Sequence, residues 1–108
     1  DYYGGRYRID LPNNNRTVRI THSIPSTLND GAGHTIPFSI ASNNSGYKIG
    51  GSLNPTGATV FNANNQLTVF LPGTDEITIW LGGTVSPPTN AFPSDNYQGT
   101  ITITAVIL

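Results

Sequence analysis

Cysteine and methionine are absent from the 108 residues, and charged side chains make up only 10%. Without cysteine there are no disulfides, thiolate metal sites or thiol nucleophiles. The net charge of −1 excludes the concentrated basic footprint of a nucleic-acid binder. No apolar run approaches the roughly 18–20 residues of a membrane helix, so no membrane insertion is expected. The start, Asp1-Tyr2-Tyr3-Gly4-Gly5, lacks the basic and apolar regions of a signal peptide; a mature or trimmed form is expected. Helical periodicity is missing too: no stretch of 11 or more residues repeats its apolar positions at i, i+3, i+4 and i+7.

Neutral polar residues take the place of charge. Asn, Thr and Ser make up about a third of the chain, with 12 Gly and 8 Pro besides. Abundant Ile and scattered Tyr and Phe separate it from disordered sequences. Low charge, neutral faces and many turn residues fit a secreted, extracellular all-β protein. The length is that of one domain, 1–108, with 1–5 as an extended tail.

Apolar and polar residues alternate as in strands. In 16–24, Val18, Ile20, His22 and Ile24 share one face, and Thr17, Arg19, Thr21 and Ser23 the other. Similar patterns predict strands over 7–11 (Tyr7, Ile9, Leu11), 35–40, 66–71, 75–81 and 97–108, and a weaker one over 47–53, where Gly50-Gly51 marks a bulge or a close approach. Asn, Gly and Pro clusters punctuate the gaps. The longest gap, 83–96, carries Pro87, Pro88 and Pro93. Seven or so short strands with turns between them predict an antiparallel β-sandwich.

Three segments carry a resemblance: TLNDGAGHTIPF at 27–38, IWLGGTV at 79–85 and NYQGTITIT at 96–104. Together they resemble secreted bacterial β-sandwich domains related to chaperone–usher pilins and spore-coat protein U. In those domains a G-G-x-(L/V) strand end precedes a Pro-rich loop, and a Y-x-G-x-(I/V)-x-(I/V)-T strand closes the fold. Asn96 stands where Gly is usual, and the chain ends Ala105-Val106-Ile107-Leu108, where an aromatic is common. The resemblance covers roughly 5–108, the C-terminal two-thirds of the family's domain. It implies an Ig-like, pilin-like sandwich that lacks its first strands and is completed by a strand from another chain. It also implies donor-strand complementation, with copies of this chain joined head to tail into a homopolymer. A donor strand burying three or four apolar side chains would contribute roughly 1.5–3 kcal/mol for each. A head-to-tail contact that does not close makes a filament. The expected function is therefore a structural subunit of a pilus-like or coat-like extracellular filament. The alternative is a secreted adhesin or carbohydrate-binding module that meets surface glycans.

The donor segment stays open: alternation of Tyr7, Ile9 and Leu11 favours 1–11, while the resemblance places 7–11 inside its own domain. Trp80 points away from the face of Ile79 and Leu81. It reads as covered by the Pro-rich loop, as a subunit contact or as a sugar-stacking platform. Val106 and Leu108 are apolar where Thr100, Thr102 and Thr104 set a polar face. With Ile107 opposite, the strand end suits burial between layers or against a neighbour. All five basic residues (Arg6, Arg8, Arg16, Arg19, Lys48) precede position 49, which reads either as a steering asymmetry or as chance.

No catalytic constellation emerges, and no enzyme activity, metal or cofactor is expected. His22 and His34 lack partner ligands at metal spacing and read as structural. Asp75 and Glu76 are adjacent and would point to opposite faces of a strand. Asn29-Asp30-Gly31 is a turn, far short of a calcium loop. Two sequons, at Asn15 and Asn43, fall in or beside turns where a glycan would fit.

Overall fold

The computed structural model describes residues 5–85 and 97–108, and all regular structure among them is β. Ten strands follow in order: β1 (Gly5–Asp10), β2 (Arg16–Ser23), β3 (Thr27–Asn29), β4 (Thr35–Ser39), β5 (Ser45–Ile49), β6 (Thr59–Phe61), β7 (Leu67–Leu71), β8 (Glu76–Leu81), β9 (Thr84–Val85) and β10 (Thr102–Ile107). Among the described residues no helix is long and apolar enough to cross a membrane.

Every pairing is antiparallel. One sheet has the order β1-β8-β5-β6, a second β10-β2-β7, and a small third β3-β4-β9. The first two share a core, as in a sandwich. Val18 and Ile20 of β2 and Val69 and Leu71 of β7 pack with Ile77, Ile79 and Leu81 of β8, and Leu11, Ile40 and Ala63 close the cluster. All but Ala63, which falls in a turn of the sequence reading, are positions that the period-2 pattern marks as inward.

β8 is central in its sheet and buried on both faces: Thr78 and Trp80, on the side away from the core, are 2% and 4% exposed. The chain beyond β5 covers part of that side. Gly50 takes φ +104°, a region glycine enters without strain. The Thr78 hydroxyl donates to the Gly50 carbonyl at 2.8 Å. A Cβ on Gly51 would stand 2.4 Å from Glu76 Oε2. The glycine pair is thus a sharp exit with a close approach, and β5 ends at Ile49 instead of running to 53.

The opening strand belongs to its own sandwich. Tyr7 and Ile9 are half-buried and Leu11 is buried, all three against the shared core. β1 pairs with β8 over six residues. Of the two readings of 7–11, donor segment or part of its own domain, the structure places it within its own sandwich, where β1 forms an edge of the sheet. Of the expected tail 1–5, only Gly5 lies within the described residues.

Candidate functional site

The sandwich is open along β10. Its register on β2 sets Ile103 opposite His22, Ala105 opposite Ile20 and Ile107 opposite Val18. All three partners are buried, so Ile103, Ala105 and Ile107 face the core side. Ile103 is nonetheless 39% exposed and Ala105 is exposed as well, with only Ile107 half-buried. The outer face carries Thr102, Thr104 and Val106 beside Ser23, Thr21 and Arg19. Val106 is 41% and Leu108 55% exposed. The strand end is therefore apolar on both sides, as the sequence suggests, but it is not buried between the chain's own layers.

The hydrogen bonds fix which groups β10 offers. The Leu108 amide donates to the Thr17 carbonyl at 2.9 Å, and the register places these two residues directly opposite. Leu108 is thus in a hydrogen-bonded pair, and by alternation so are Val106, Thr104 and Thr102. The amides and carbonyls of Ile103, Ala105 and Ile107 point the other way. Among the described residues they have no partner strand, since β10 pairs with β2 alone. Natural edges are blunted by charge, Pro or bulges, but 101–108 (ITITAVIL) contains no charged residue, Pro or Gly.

An apolar pocket of about 340 Å³ adjoins the start of this strand. Its walls are Gly5, Phe38, Ile40, Leu81, Gly82-Gly83 and Ile101. Gly83 lets the Phe38 ring lie against the chain, since a Cβ there would stand 2.7 Å from the ring. Ile101 leads on to Ile103 with the same facing, so pocket and strand edge form one apolar surface. Such a surface can accept an extended segment: its main chain would bond to the edge and its alternate side chains would fill the apolar side.

The other residues singled out by sequence lie elsewhere. Trp80 points away from the core as expected, but its burial leaves no open platform for a sugar or a subunit; this corrects the exposed reading. The Pro-rich loop offered as its cover lies outside the described residues from position 86 on. Tyr7 sits within the fold, its hydroxyl in contact with Nε2 of His22. Burial raises the pKa of Tyr7 and lowers that of His22. The Nδ1 of His22 is buried without a partner. His34 closes a tight loop with Asp30: the two side chains meet at 2.7 Å, and the Asp30 carboxylate also accepts from the amides of Ala32 and His34. Desolvation pushes the Asp30 pKa up, but these donors and the imidazole outweigh it and the net pKa is lowered. Asn15 turns at φ +56° and accepts from the Gly73 amide at 2.8 Å. Asn43 lies exposed in a turn. Among the described residues no three His, Asp or Glu side chains gather as a metal site would require.

Charge does not divide by sequence half in space. Arg8 pairs with Asp10 at 3.1 Å within β1, and that strand lies beside β8, which begins at Glu76. The basic and acidic segments interleave, so no steering axis follows from them.

Sequence reading reached Val106, Ile107 and Leu108 but missed Phe38, Ile40 and Gly82-Gly83, which converge only on folding. A detectable signal was the eight-residue neutral run at 101–108, which lacks any edge-protecting residue. Comparison of the chain with family models, curated proteins and solved structures finds no match.

Proposed function

We propose that this chain is a structural subunit of an extracellular, pilus-like or coat-like filament, assembled by strand addition between copies of itself. One observation carries the reading: β10 is an uncharged edge strand whose core-side residues Ile103 and Ala105 are exposed and whose outward main-chain groups are unpaired among the described residues. An edge of this kind is a template for another strand. The resemblance to secreted pilin-like domains supports an extracellular homopolymer. Because β1 pairs with β8 of its own chain, segment 1–11 is not the donor in this reading, and β10 is the receiving edge. The burial of Trp80 removes one of the two features on which a carbohydrate-binding module rested; the other, the 83–96 loop, lies outside the described residues from position 86 on.

The test is electron microscopy and sedimentation of the purified chain over a concentration series. Fibres that withstand salt and heat are expected. Monodisperse monomers at every concentration would overturn the reading.

A further inference from the structure

We infer that the strand added at β10 is β10 of a second copy, paired antiparallel about a two-fold axis through Thr104. This rests on the self-assembling reading above and names the partner segment.

Hydrogen-bond parity and side-chain facing narrow the choice. An antiparallel partner must offer main-chain groups from residues whose side chains lie on the same side as those of Ile103 and Ala105. β10 of a second copy meets this condition, because its outward groups belong to its own core-side residues. The far edge of the sheet, β7, does not meet it in antiparallel pairing. The alternation on β2 assigns the outward groups of β7 to Thr68 and Phe70, whose register partners Arg19 and Thr17 lie on the outer face. That pairing would set the outer face of one copy against the core side of the next. A parallel, head-to-tail seam of β10 on β7 satisfies parity but fails on width. It would repeat every three strands, about 14 Å, whereas the facing sheet of four strands is about 19 Å wide. At β10 the exposure of Ile103 and Ala105 shows that the facing sheet stops short of the edge.

Side-chain size sets the register. With Thr104 on the axis, Ile103 meets Ala105 of the second copy and Ile101 meets its Ile107, so large residues face small or matching ones on the apolar side. A register centred on Ala105 would put two small residues opposite each other and leave a gap. On the outer face Thr104 meets its own copy, a favourable cross-strand pair. Charge raises no obstacle, since 101–108 is neutral. The nearest like charges on this face are the two Arg19 side chains. They stand three strands and about four residues apart, about 20 Å in all, beyond the Debye length in physiological salt. The seam joins two three-stranded sheets into one of six strands and two open cores into one. A two-fold contact closes on itself, so a filament is then a string of pairs instead of a head-to-tail string of single chains.

The absence of cysteine makes the test direct. Thr104 and its copy form a non-hydrogen-bonded pair, with Cα atoms about 4.5 Å apart, inside disulfide range. Thr104→Cys, oxidised with diamide at assembling concentration, is expected to form a covalent dimer. Thr102→Cys, about four residues out of register with its copy, and Thr68→Cys on β7 are expected to stay monomeric on denaturing gels. Circular dichroism checks that each variant keeps the fold. Cross-linking of Thr104→Cys no faster than that of Thr68→Cys or of Thr102→Cys overturns the seam. If the unmodified chain still forms fibres in that case, the filament reading survives and only the two-fold seam falls. If the chain does not associate at all, both fall.

Discussion

The Tyr7 hydroxyl meets Nε2 of His22 between the two sheets, while Nδ1 of the same ring is buried with no partner. This contact joins the edge strand β1 to the centre of the opposite sheet, with Phe61 stacked obliquely 6.0 Å from the imidazole. It is a polar contact set in the apolar core. Its removal leaves the whole ring unsatisfied, at a cost of about 1–3 kcal/mol. Tyr7→Phe is therefore expected to lower the unfolding free energy read from urea titration by that amount. In a His22→Leu background the same substitution should cost much less, and the double-mutant cycle measures the difference.

The same ring predicts the acid response. Burial holds the His22 pKa below its ordinary value of 6.5. The unfolded chain thus binds a proton at a higher pH than the folded one does. Stability is full above about 6.5 and falls as pH drops from there toward the folded value. Urea titrations between pH 7.5 and 4.5 should show this slope, and His22→Leu should abolish it. Asp30 acts in a separate window. Its pKa is below the ordinary 3.8, so its contribution is present above that pH and is lost only at lower pH.

Much of the fold is legible locally. Alternation in 16–24 and 75–81 marks Val18, Ile20, Ile77 and Ile79, and these four side chains are among the fully buried residues at the centre of the core. Strands β3, β6 and β9, of three, three and two residues, are too short for a period to register. The final strand is shorter than its pattern, because Gln98 bridges to Asn29 before β10 begins. Trp80 shows the limit: alternation gives the side of the sheet but not what lies over it. The site divides the same way. The neutrality of 101–108 can be read directly, whereas the meeting of Phe38, Gly83 and Ile101 in one pocket depends on pairings far apart in sequence.

Trp80 is expected to behave as a packing residue. It is 4% exposed, so truncation to Ala removes a large buried side chain and should cost about 3–5 kcal/mol. A sugar-stacking platform would instead tolerate truncation with little change in stability. Thermal and urea unfolding of Trp80→Ala separate the two.

Gly50 and Gly51 should differ in their response to alanine. At Gly50 the backbone φ of +104° is one that a side chain rarely adopts, so Gly50→Ala should cost about 1–2 kcal/mol whatever the space around it. At Gly51 the obstacle is the end of the Glu76 side chain, which can swing away. Gly51→Ala should cost less, and Gly51→Ala with Glu76→Ala should cost little more than Glu76→Ala alone. Equilibrium denaturation of the four variants provides the comparison.

Ile103→Lys separates folding from assembly. Ile103 faces the core side at an open edge, so a lysine stem can lie along the apolar surface and carry its ammonium out to water. The isolated domain should keep its fold. Inward-facing lysines on edge strands are a natural guard against edge-to-edge pairing. Strand addition would trap this charge, unpaired, against the incoming apolar side chain. The concentration needed for fibre formation should rise by about tenfold or more. Val60→Lys, on the outer face of β6 and 55% exposed, places the same charge away from β10 and should leave that concentration unchanged. Fibre yields from the two variants, read by sedimentation at matched concentrations, decide whether β10 is the assembling edge.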